Sequence, residues 1–408
     1  MVTATGFRPL RGVRVIEFDL GIAQFAGRIL ADAGAEVIKI EVAAGNTPRN
    51  FGPFLDNRQG KDRSLNFWYY NTSKQSVVLD LSSPEGLDAA RELAAGATVI
   101  IDGMEVGQLD ALGLRYEDLK VVNPRLVYCA VTAFGQDGPW RDYATSDLVQ
   151  LAAGGLLSVC GYDEPDGPPY PVAPTGGQSR HIVGMTAAMA VIAALIARSD
   201  ADEGQFIDVS AHDSIAVSLE MGVPFWFYQQ REVVRHTARH AMPGPTPRWQ
   251  HRCADGKYLL ALPLYIDDTR FAALVDWFGS EGMAEDLTDE KYQTAGNRAG
   301  AMDHIIDVIG RFCAAHDSAT MFHGSQARRL PWAPVNAPDE ILADPHFTAH
   351  RHTFVEVRDS VSGEPHLFAQ LPFLVGQGDA ISRPPKLGEH TDLVKAALKH
   401  DGGSDSAN

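Results

Sequence analysis

The sequence predicts an α/β protein: a Rossmann-like large domain on a mostly parallel sheet, and a smaller α+β domain. Two observations lead to this fold class. Short β-branched segments alternate with segments of helical spacing over residues 13–131. The chain has 408 residues, 45% of them hydrophobic, which is enough to bury two cores. Ligands of such a fold bind at the carboxyl ends of its parallel strands.

The predicted elements repeat a strand-helix-strand order. Period-two patterns predict the strands, and 3.6-residue spacing with start and stop signals predicts the helices. In chain order they are a strand at 13–18, a helix at 23–34 ended by Gly34, a strand at 36–41, a strand at 76–81, a helix opened by Ser83 and Pro84, strands at 98–101 and 126–131, a helix at 182–197, a helix beginning within 208–213, and a strand at 257–262.

Composition sets the domain boundaries. The predicted N-terminal part of the large domain covers residues 1–220, and a linker with the small domain covers 221–328. Residues 329–400 are predicted to return to the large domain, and the polar residues 401–408 to form a disordered tail. The apolar segment 182–197 is shorter than the ~20 residues that cross a bilayer, so a buried helix and no membrane association are predicted.

Charge and cysteine content narrow the function classes. A net charge of −17 disfavours nucleic acid, whose binding needs clustered Lys and Arg. The four cysteines have neither disulfide-framework nor zinc spacing, which favours a reducing cytoplasm and no metal. The first residues have no basic segment followed by an apolar run, so export is not expected.

Dinucleotide chemistry is not supported. Gly21 and Gly27 follow the first strand, but five residues separate them and they do not form GxGxxG. The sequence also has no P-loop, no GxSxG and no HExxH. The absence of the GxGxxG motif in particular argues against a dehydrogenase.

Asp147 is the candidate with the most chemical interest. It precedes a turn of small residues that contains Gly154 and Gly155. A carboxylate in this position is either the N-cap of a helix or an acyl-accepting nucleophile, and the local sequence alone favours the cap. The choice between a helix cap and a nucleophile therefore depends on the rest of the sequence.

Several separated segments resemble the class III coenzyme A-transferase family, also called the carnitine dehydratase and racemase-like family. Their order and spacing carry the resemblance over nearly the whole chain. They are residues 10–19, 30–41, 74–81, 123–128, 134–139, 143–155, 203–210, 333–336, 343–346 and 387–391.

This resemblance implies an enzyme that moves coenzyme A from an acyl-CoA to a small carboxylic acid. Asp147 would attack the thioester to give an aspartyl mixed anhydride, in a site that keeps water out. The resemblance also implies an open-ring protomer that interlinks with a second copy as a homodimer.

Further roles are implied by the same resemblance. Gln150, Gly154 and Gly155 follow the nucleophile, and backbone N–H groups of Gly135 or of the two glycines would stabilise an oxyanion. Gly154 and Gly155 are equally open to interpretation as a close packing point. The residues implied for coenzyme A are Leu20, Gly21, Lys74, Leu79, Gly103 and Met104.

The chain departs from the family pattern where phosphates would bind. Val42 and Ala111 stand at positions that are often basic in the family. Residues 42–79 nevertheless carry a local positive balance, which is either a solvated loop or an anion site. Arg49, Lys61 or Lys74 would then replace the missing contacts.

Two alternatives stay open. The racemase branch of the family needs two bases, but Ser146 stands where that branch has a His, and Arg180 falls near its second base. His181 is the remaining candidate base, so transfer is favoured. A catalytically silent subunit would also explain the missing basic residues, although Asp147 is retained.

Overall fold

The computed structural model describes residues 8–162, 170–263, 266–373 and 381–401. The helices are α1 Gln24–Asp32, α2 Leu65–Tyr70, α3 Pro84–Ala95, α4 Gln108–Ala111, α5 Tyr116–Val122, α6 Asp147–Ala153, α7 Gln178–Ala201, α8 Ala211–Ala216, α9 Gly222–Gln229, α10 Asp268–Ser280, α11 Ala295–Ala299, α12 Met302–Ala315, α13 Ser318–Ala327, α14 Pro338–Ala343 and α15 Thr391–Asp401. The strands are β1 Arg14–Asp19, β2 Glu36–Glu41, β3 Gln75–Val78, β4 Val99–Gly103, β5 Val127–Thr132, β6 Gln205–Ser210, β7 Val234–His236, β8 Arg239–Met242, β9 Gln250–Arg252, β10 Tyr258–Leu260, β11 Ala333–Pro334, β12 Phe354–Arg358 and β13 Pro365–Ala369.

A parallel sheet organises the first of two compact units. In the described residues it has six strands in the order β3-β2-β1-β4-β5-β6. The order reverses direction between β1 and β4, and ligands of doubly wound folds bind at that reversal. The predicted α/β class with a parallel sheet is therefore confirmed.

Alternate strand residues build a core on each face of this sheet. Val15, Val37 and Val99 pack on one face with α1 and α7. Ile16 and Ile100 pack on the other face with residues of α3, α5 and α15. Burial on both faces explains why these strands are almost continuously apolar in sequence.

Helix α7 is longer than predicted and only partly buried. Over Gln178–Ser199 it is long and apolar enough to span a membrane by length and composition alone, with 33% of its apolar window buried. Val183, Ala187 and Val191 lie in the core beside α1. A single such helix is weak evidence for a membrane, because core helices meet the same criteria.

The second unit comprises Val159–Val172 and Met221–Asp344. It contains an antiparallel sheet in the order β11-β10-β9 and its own apolar core, in which Phe278, Phe312 and Trp332 are fully buried. The first unit resumes at Pro345, whereas the sequence predicted the return at 329. The difference arises because β11 pairs with β10 and α14 follows directly.

The chain ends on α15, which reaches Asp401. Residue 401 was predicted to begin the disordered tail. Residues 402–408, which make up the rest of that predicted tail, lie outside the described residues.

Candidate active site

Asp147 lies in the first unit, where the start of α6 meets the start of α7. Ser146 is the N-cap of α6, since its side chain accepts from Val149 N–H. The Asp147 carboxylate instead accepts from α7: Oδ1 from Ser179 Oγ at 2.6 Å and Ser179 N at 3.1 Å, and Oδ2 from Gly177 N at 3.3 Å. Asp147 therefore stabilises the N-terminus of a second helix.

The two carboxylate oxygens are not equivalent. Oδ1 holds two of the contacts, whereas Oδ2 holds only the long bond from Gly177. The residue is half-buried, so Oδ2 keeps lone pairs that no described donor occupies. This oxygen has the geometry of an oriented and available nucleophile.

Two polar side chains lie beside Gly177 and a third, Arg180, follows on α7, and each has a polar group without a described partner. The Tyr70 hydroxyl lies so near that a Cβ on Gly177 would be 2.8 Å from it. His181 Nδ1 is buried without a hydrogen bond. Arg180 makes no hydrogen bond or ion pair with any described residue, and its guanidinium lies 5.7 Å from the ring centre of Phe51.

Burial and charge shift the titration of this group. Burial raises the pKa of Tyr70 to about 12, with opposing contributions from Arg180 and Asp147. Burial also lowers the pKa of His181 below its ordinary value. Tyr70 and His181 are therefore both neutral near pH 7, and each can offer a donor without adding charge.

The backbone donors suggested for an oxyanion are already bonded inside the protein. Gly135 N donates to Thr132 Oγ1 at 3.0 Å, Gly154 N to Gln150 O at 2.8 Å, and Gly155 N to Ala152 O at 3.1 Å. A Cβ on Gly154 would lie 2.6 Å from Ile215 Cγ2, and one on Gly155 2.6 Å from Leu219 Cδ1.

Of the two interpretations of Gly154 and Gly155, the geometry therefore supports close packing. Gln150 is buried one turn after Asp147 on α6.

Four residues implied for coenzyme A meet at the carboxyl edge of the sheet, where β1 and β4 end. Leu20 N donates to Gly103 O at 3.3 Å, Gly21 adopts a positive φ of 134°, and Met104 follows β4. Asp102 beside them accepts from Met104 N and from the Tyr128 hydroxyl. Burial raises the pKa of Asp102 to about 6.

Lys74 has an internal structural role. Its Nζ is buried and donates to Glu17 Oε2 at 2.7 Å, Gln24 O at 2.8 Å and Asn71 Oδ1 at 3.1 Å. Lys39 donates to the other Glu17 oxygen at 2.7 Å. All three donors of Lys74 are occupied, so none is left for a phosphate in this conformation.

Arg49 is similarly committed. It is buried and makes a two-pronged contact to Glu41, at 2.9 and 2.8 Å, and a further bond to Asp62. Lys61 is exposed and donates to Ala43 O. Arg58 is exposed and makes no contact of this kind with any described residue. The cations of residues 42–79 are thus of two kinds: some are buried in ion pairs and others are exposed.

Leu79 is 1% exposed and belongs to the core, so only its backbone can face a ligand.

Among the aromatic residues, Trp140 packs on Phe134 and His212 in the first unit. The cluster Phe225–Tyr228 lies on α9 in the second unit. Within the described ranges, no group of three or more His, Cys, Asp or Glu is arranged to hold a metal.

The sequence did not identify Tyr70 or Ser179 as part of this site. Tyr70 ends α2, and Ser179 lies in the first turn of α7, far from Asp147 in sequence. The only local signal is the pair Gly176 and Gly177 before a long apolar helix, which is typical of a helix start that another segment approaches closely.

Comparison with known proteins bears on the class of enzyme. The family described as CoA-transferase family III matches residues 10–391. The chain is 32% identical over 397 residues to the succinate–glutarate CoA-transferase of Agrobacterium fabrum, covering 96% of each chain. It is 29% identical over 389 residues to subunit BbsE of the succinyl-CoA:(R)-benzylsuccinate CoA-transferase of Thauera aromatica, covering 93% of this chain and 91% of that one. A crystal structure of a CaiB/BaiF family protein from Brucella suis has a TM-score of 0.79 at 26% identity, covering 96% of this chain and 99% of that one.

Proposed function

The chain belongs to CoA-transferase family III, and we propose that it transfers coenzyme A from an acyl-CoA donor to a carboxylic acid through an acyl-aspartate at Asp147. One observation carries the role of Asp147: its carboxylate is held by Ser179 and Gly177 with Oδ2 still available. An oriented carboxylate of this kind avoids the entropy cost of finding the attack geometry.

The proposed reaction conserves the thioester energy in two exchanges. Asp147 Oδ2 attacks the thioester carbonyl carbon, the carbon–sulfur bond breaks, and coenzyme A leaves as a thiolate. The thiolate then attacks the aspartyl carbonyl of the anhydride, which releases the donor acid and leaves an aspartyl thioester. The acceptor carboxylate displaces the thiolate to form a second anhydride, and thiolate attack on the acceptor acyl group regenerates Asp147.

Coenzyme A is proposed to bind at the carboxyl edge of the sheet, along Leu20, Gly21, Gly103 and Met104. Strand ends and backbone groups meet there, as in other doubly wound folds. The exposed cations Arg58 and Lys61 are the best placed of the local basic residues to meet its phosphates, because Arg49 and Lys74 are buried in ion pairs.

The substrates are proposed to include short dicarboxylic acids, in line with the acids in the names of the relatives above. A cytoplasmic homodimer of interlinked open rings is proposed on the family resemblance. Racemisation is not favoured, and the proposal expects no deuterium uptake from heavy water at the carbon beside the thioester of a 2-methylacyl-CoA.

A second candidate is a catalytically silent chain that works beside a homologous active chain. It is favoured by the contacts of Asp147, since a carboxylate that accepts from Gly177 and Ser179 already serves as a helix cap. One relative is also named as a subunit. This candidate expects no acyl group on Asp147 under any conditions.

Asp147→Asn separates the two candidates. An Asn side chain retains an oxygen that can accept from Ser179, so the cap is largely preserved while the nucleophile is lost. If Asp147 carries the acyl group, exchange of label between acyl-CoA and free acid falls by at least ~10³-fold. Exchange is measured by mass spectrometry with a panel of acyl-CoA donors and acids.

Ser179→Ala is the matched control. It removes the shortest hydrogen bond to Asp147 Oδ1 but leaves the carboxylate, so activity is expected to fall by no more than ~10-fold. Hydroxylamine added with donor should give a hydroxamate on the peptide that contains residue 147 in the wild type and in Ser179→Ala, but not in Asp147→Asn. No exchange by the wild type or either variant, with no hydroxamate, would support the silent chain instead, whereas equal small losses in both variants would exclude Asp147 as the nucleophile.

A further inference from the structure

The start of α7 presents polar groups that the proposed transfer chemistry does not use. Tyr70 and His181 lie beside Gly177, and Arg180 follows three residues later on α7; none has a described partner for its hydroxyl, its Nδ1 or its guanidinium, respectively. Tyr70 is only 3% exposed. An unpartnered buried polar atom such as His181 Nδ1 costs ~1–3 kcal/mol, so its presence beside two further donors without described partners indicates an absent ligand.

The charge of this ligand follows from the groups that would hold it. Arg180 is a half-buried cation in the first turn of α7, where the helix dipole already places positive charge. The carboxylate of Asp147 is the acceptor that the described structure places at this helix start. A guanidinium with a nearby phenol hydroxyl matches a second carboxylate in both charge and donor geometry.

The side chains that contact His181, Tyr70 and Arg180 are mostly aromatic rings. Phe25 packs against His181 with ring centres 4.7 Å apart, Tyr69 lies 4.9 Å from Tyr70, and Phe51 lies beside Arg180. These rings are apolar and provide few hydrogen-bond acceptors for the three polar groups. A small acid with a carboxylate at one end therefore fits this region better than a phosphate or a peptide.

The physical chemistry of transfer decides which carboxylate binds there. A carboxylate that reacts loses its negative charge during attack, so an Arg that binds it stabilises the ground state more than the transition state. A carboxylate at the far end of the substrate keeps its charge throughout. Arg180 therefore contributes most if it holds the end that does not react.

We propose that Arg180 and Tyr70 bind the non-reacting carboxylate of a short dicarboxylic substrate, and so make this chain selective for dicarboxylic over monocarboxylic acyl groups. His181 Nδ1 supplies a further donor to the same carboxylate. The inference rests on the proposed function, because it assigns a substrate class to the site around Asp147. It names Arg180 and Tyr70 as specificity-determining residues.

The test is a ratio of specificity constants. Succinyl-CoA and butyryl-CoA are given separately to the wild type and to Arg180→Met, with labelled glutarate as the acceptor, and kcat/KM is measured for each donor. The succinyl-to-butyryl ratio of the wild type is expected to fall by ~10- to 100-fold in Arg180→Met, mainly through KM. Tyr70→Phe should lower it by ~3- to 10-fold, and Arg180→Lys should recover part of it.

The ratio of the two kcat/KM values distinguishes a loss of carboxylate recognition from a loss of folding. A variant that only loosens the fold lowers kcat/KM for both donors together. Arg58→Met is the matched control: it removes another Arg without a described partner, and any effect on the coenzyme A end is common to both donors. A ratio in Arg180→Met equal to that of the wild type would overturn the inference.

A failure of the proposed function gives a different result from a failure of this inference. If the wild type exchanges neither donor, the transfer proposal fails, and binding alone tests the site. Succinate should then raise the melting temperature of the wild type more than butyrate does, and Arg180→Met should lose that difference. Equal effects of the two acids on the wild type would overturn the inference as well.

Discussion

The interior of the first unit contains two lysines that share one carboxylate. Lys39 and Lys74 share the carboxylate of Glu17, and the side chains of all three are fully buried. Burial favours the neutral form of a lysine, whereas Glu17, Asp19 and Glu41 together raise the pKa of Lys39 above its ordinary value. Lys74 benefits less from the shared carboxylate, and burial lowers its pKa to about 8.

This arrangement predicts that stability depends on pH through Lys74. Between its folded pKa of about 8 and the ordinary value of 10.5, the unfolded chain binds the proton and the folded chain releases it. The contribution of Lys74 to the free energy of unfolding therefore rises with pH across this window and is lost as pH falls through about 8. The gain is on the order of 1–3 kcal/mol, measured as the difference between wild type and Lys74→Met in urea unfolding.

Lys61→Met controls for the loss of one positive charge from the same part of the chain. Lys61 is exposed, so its difference from the wild type should stay within ~0.5 kcal/mol over the same pH range. A difference for Lys74→Met that is flat or falls with rising pH would show that Lys74 is not held in this way.

Strands β1 to β5 were predictable from the sequence, whereas the hydrogen-bond partners of Asp147 were not. Val15 and Ile16 are apolar neighbours that face opposite sides of the sheet, and β2 starts and ends where its alternation predicted. These patterns depend only on local spacing. The contact between Asp147 and Ser179 joins two helix starts, and no local pattern encodes it.

One predicted helix start shows the limit of local rules. The sequence indicated a helix beginning within residues 208–213, and α8 does begin there, at Ala211 with Ser210 as its cap, but residues 208–210 belong to β6. Pairing with β5 extends the strand through Ser210. A neighbouring strand therefore sets the boundary between strand and helix inside the predicted segment.

The crossing of α1 and α7 depends on Gly184. A Cβ at this position would lie 2.7 Å from Phe25 Cβ and 3.1 Å from Ala26 N, so neither neighbour can yield easily. Gly184→Ala is expected to destabilise the first unit by ~1–2 kcal/mol, even though Ala favours a helix by ~1 kcal/mol. It should also displace His181, which packs on Phe25, and so reduce transfer activity.

Gly176→Ala is the corresponding control, because nothing lies within 4 Å of the added Cβ and its φ is not positive. It should be neutral or stabilising by up to ~1 kcal/mol in urea unfolding. A loss in Gly176→Ala as large as that in Gly184→Ala would mean that the helix crossing is not the cause.

At the scale of the whole molecule, the outer face of α7 needs an explanation. Met189 and Ile196 are 64% and 65% exposed on a helix whose opposite face is packed in the core. Together with Met185 they form an apolar stripe that water solvates poorly. The proposed homodimer provides a surface that would cover this stripe.

The dimer proposal predicts that Met189→Asp weakens self-association. A buried, unpaired carboxylate at an apolar interface costs several kcal/mol, so the dimer dissociation constant should rise by at least ~100-fold. Light scattering after gel filtration, over a range of protein concentrations, measures this shift. Val121→Asp introduces the same charge at an exposed apolar residue of α5 and should leave the mass unchanged. Identical masses for wild type and Met189→Asp at every concentration would rule out α7 as the dimer contact, and a wild type that is monomeric throughout would rule out the dimer itself.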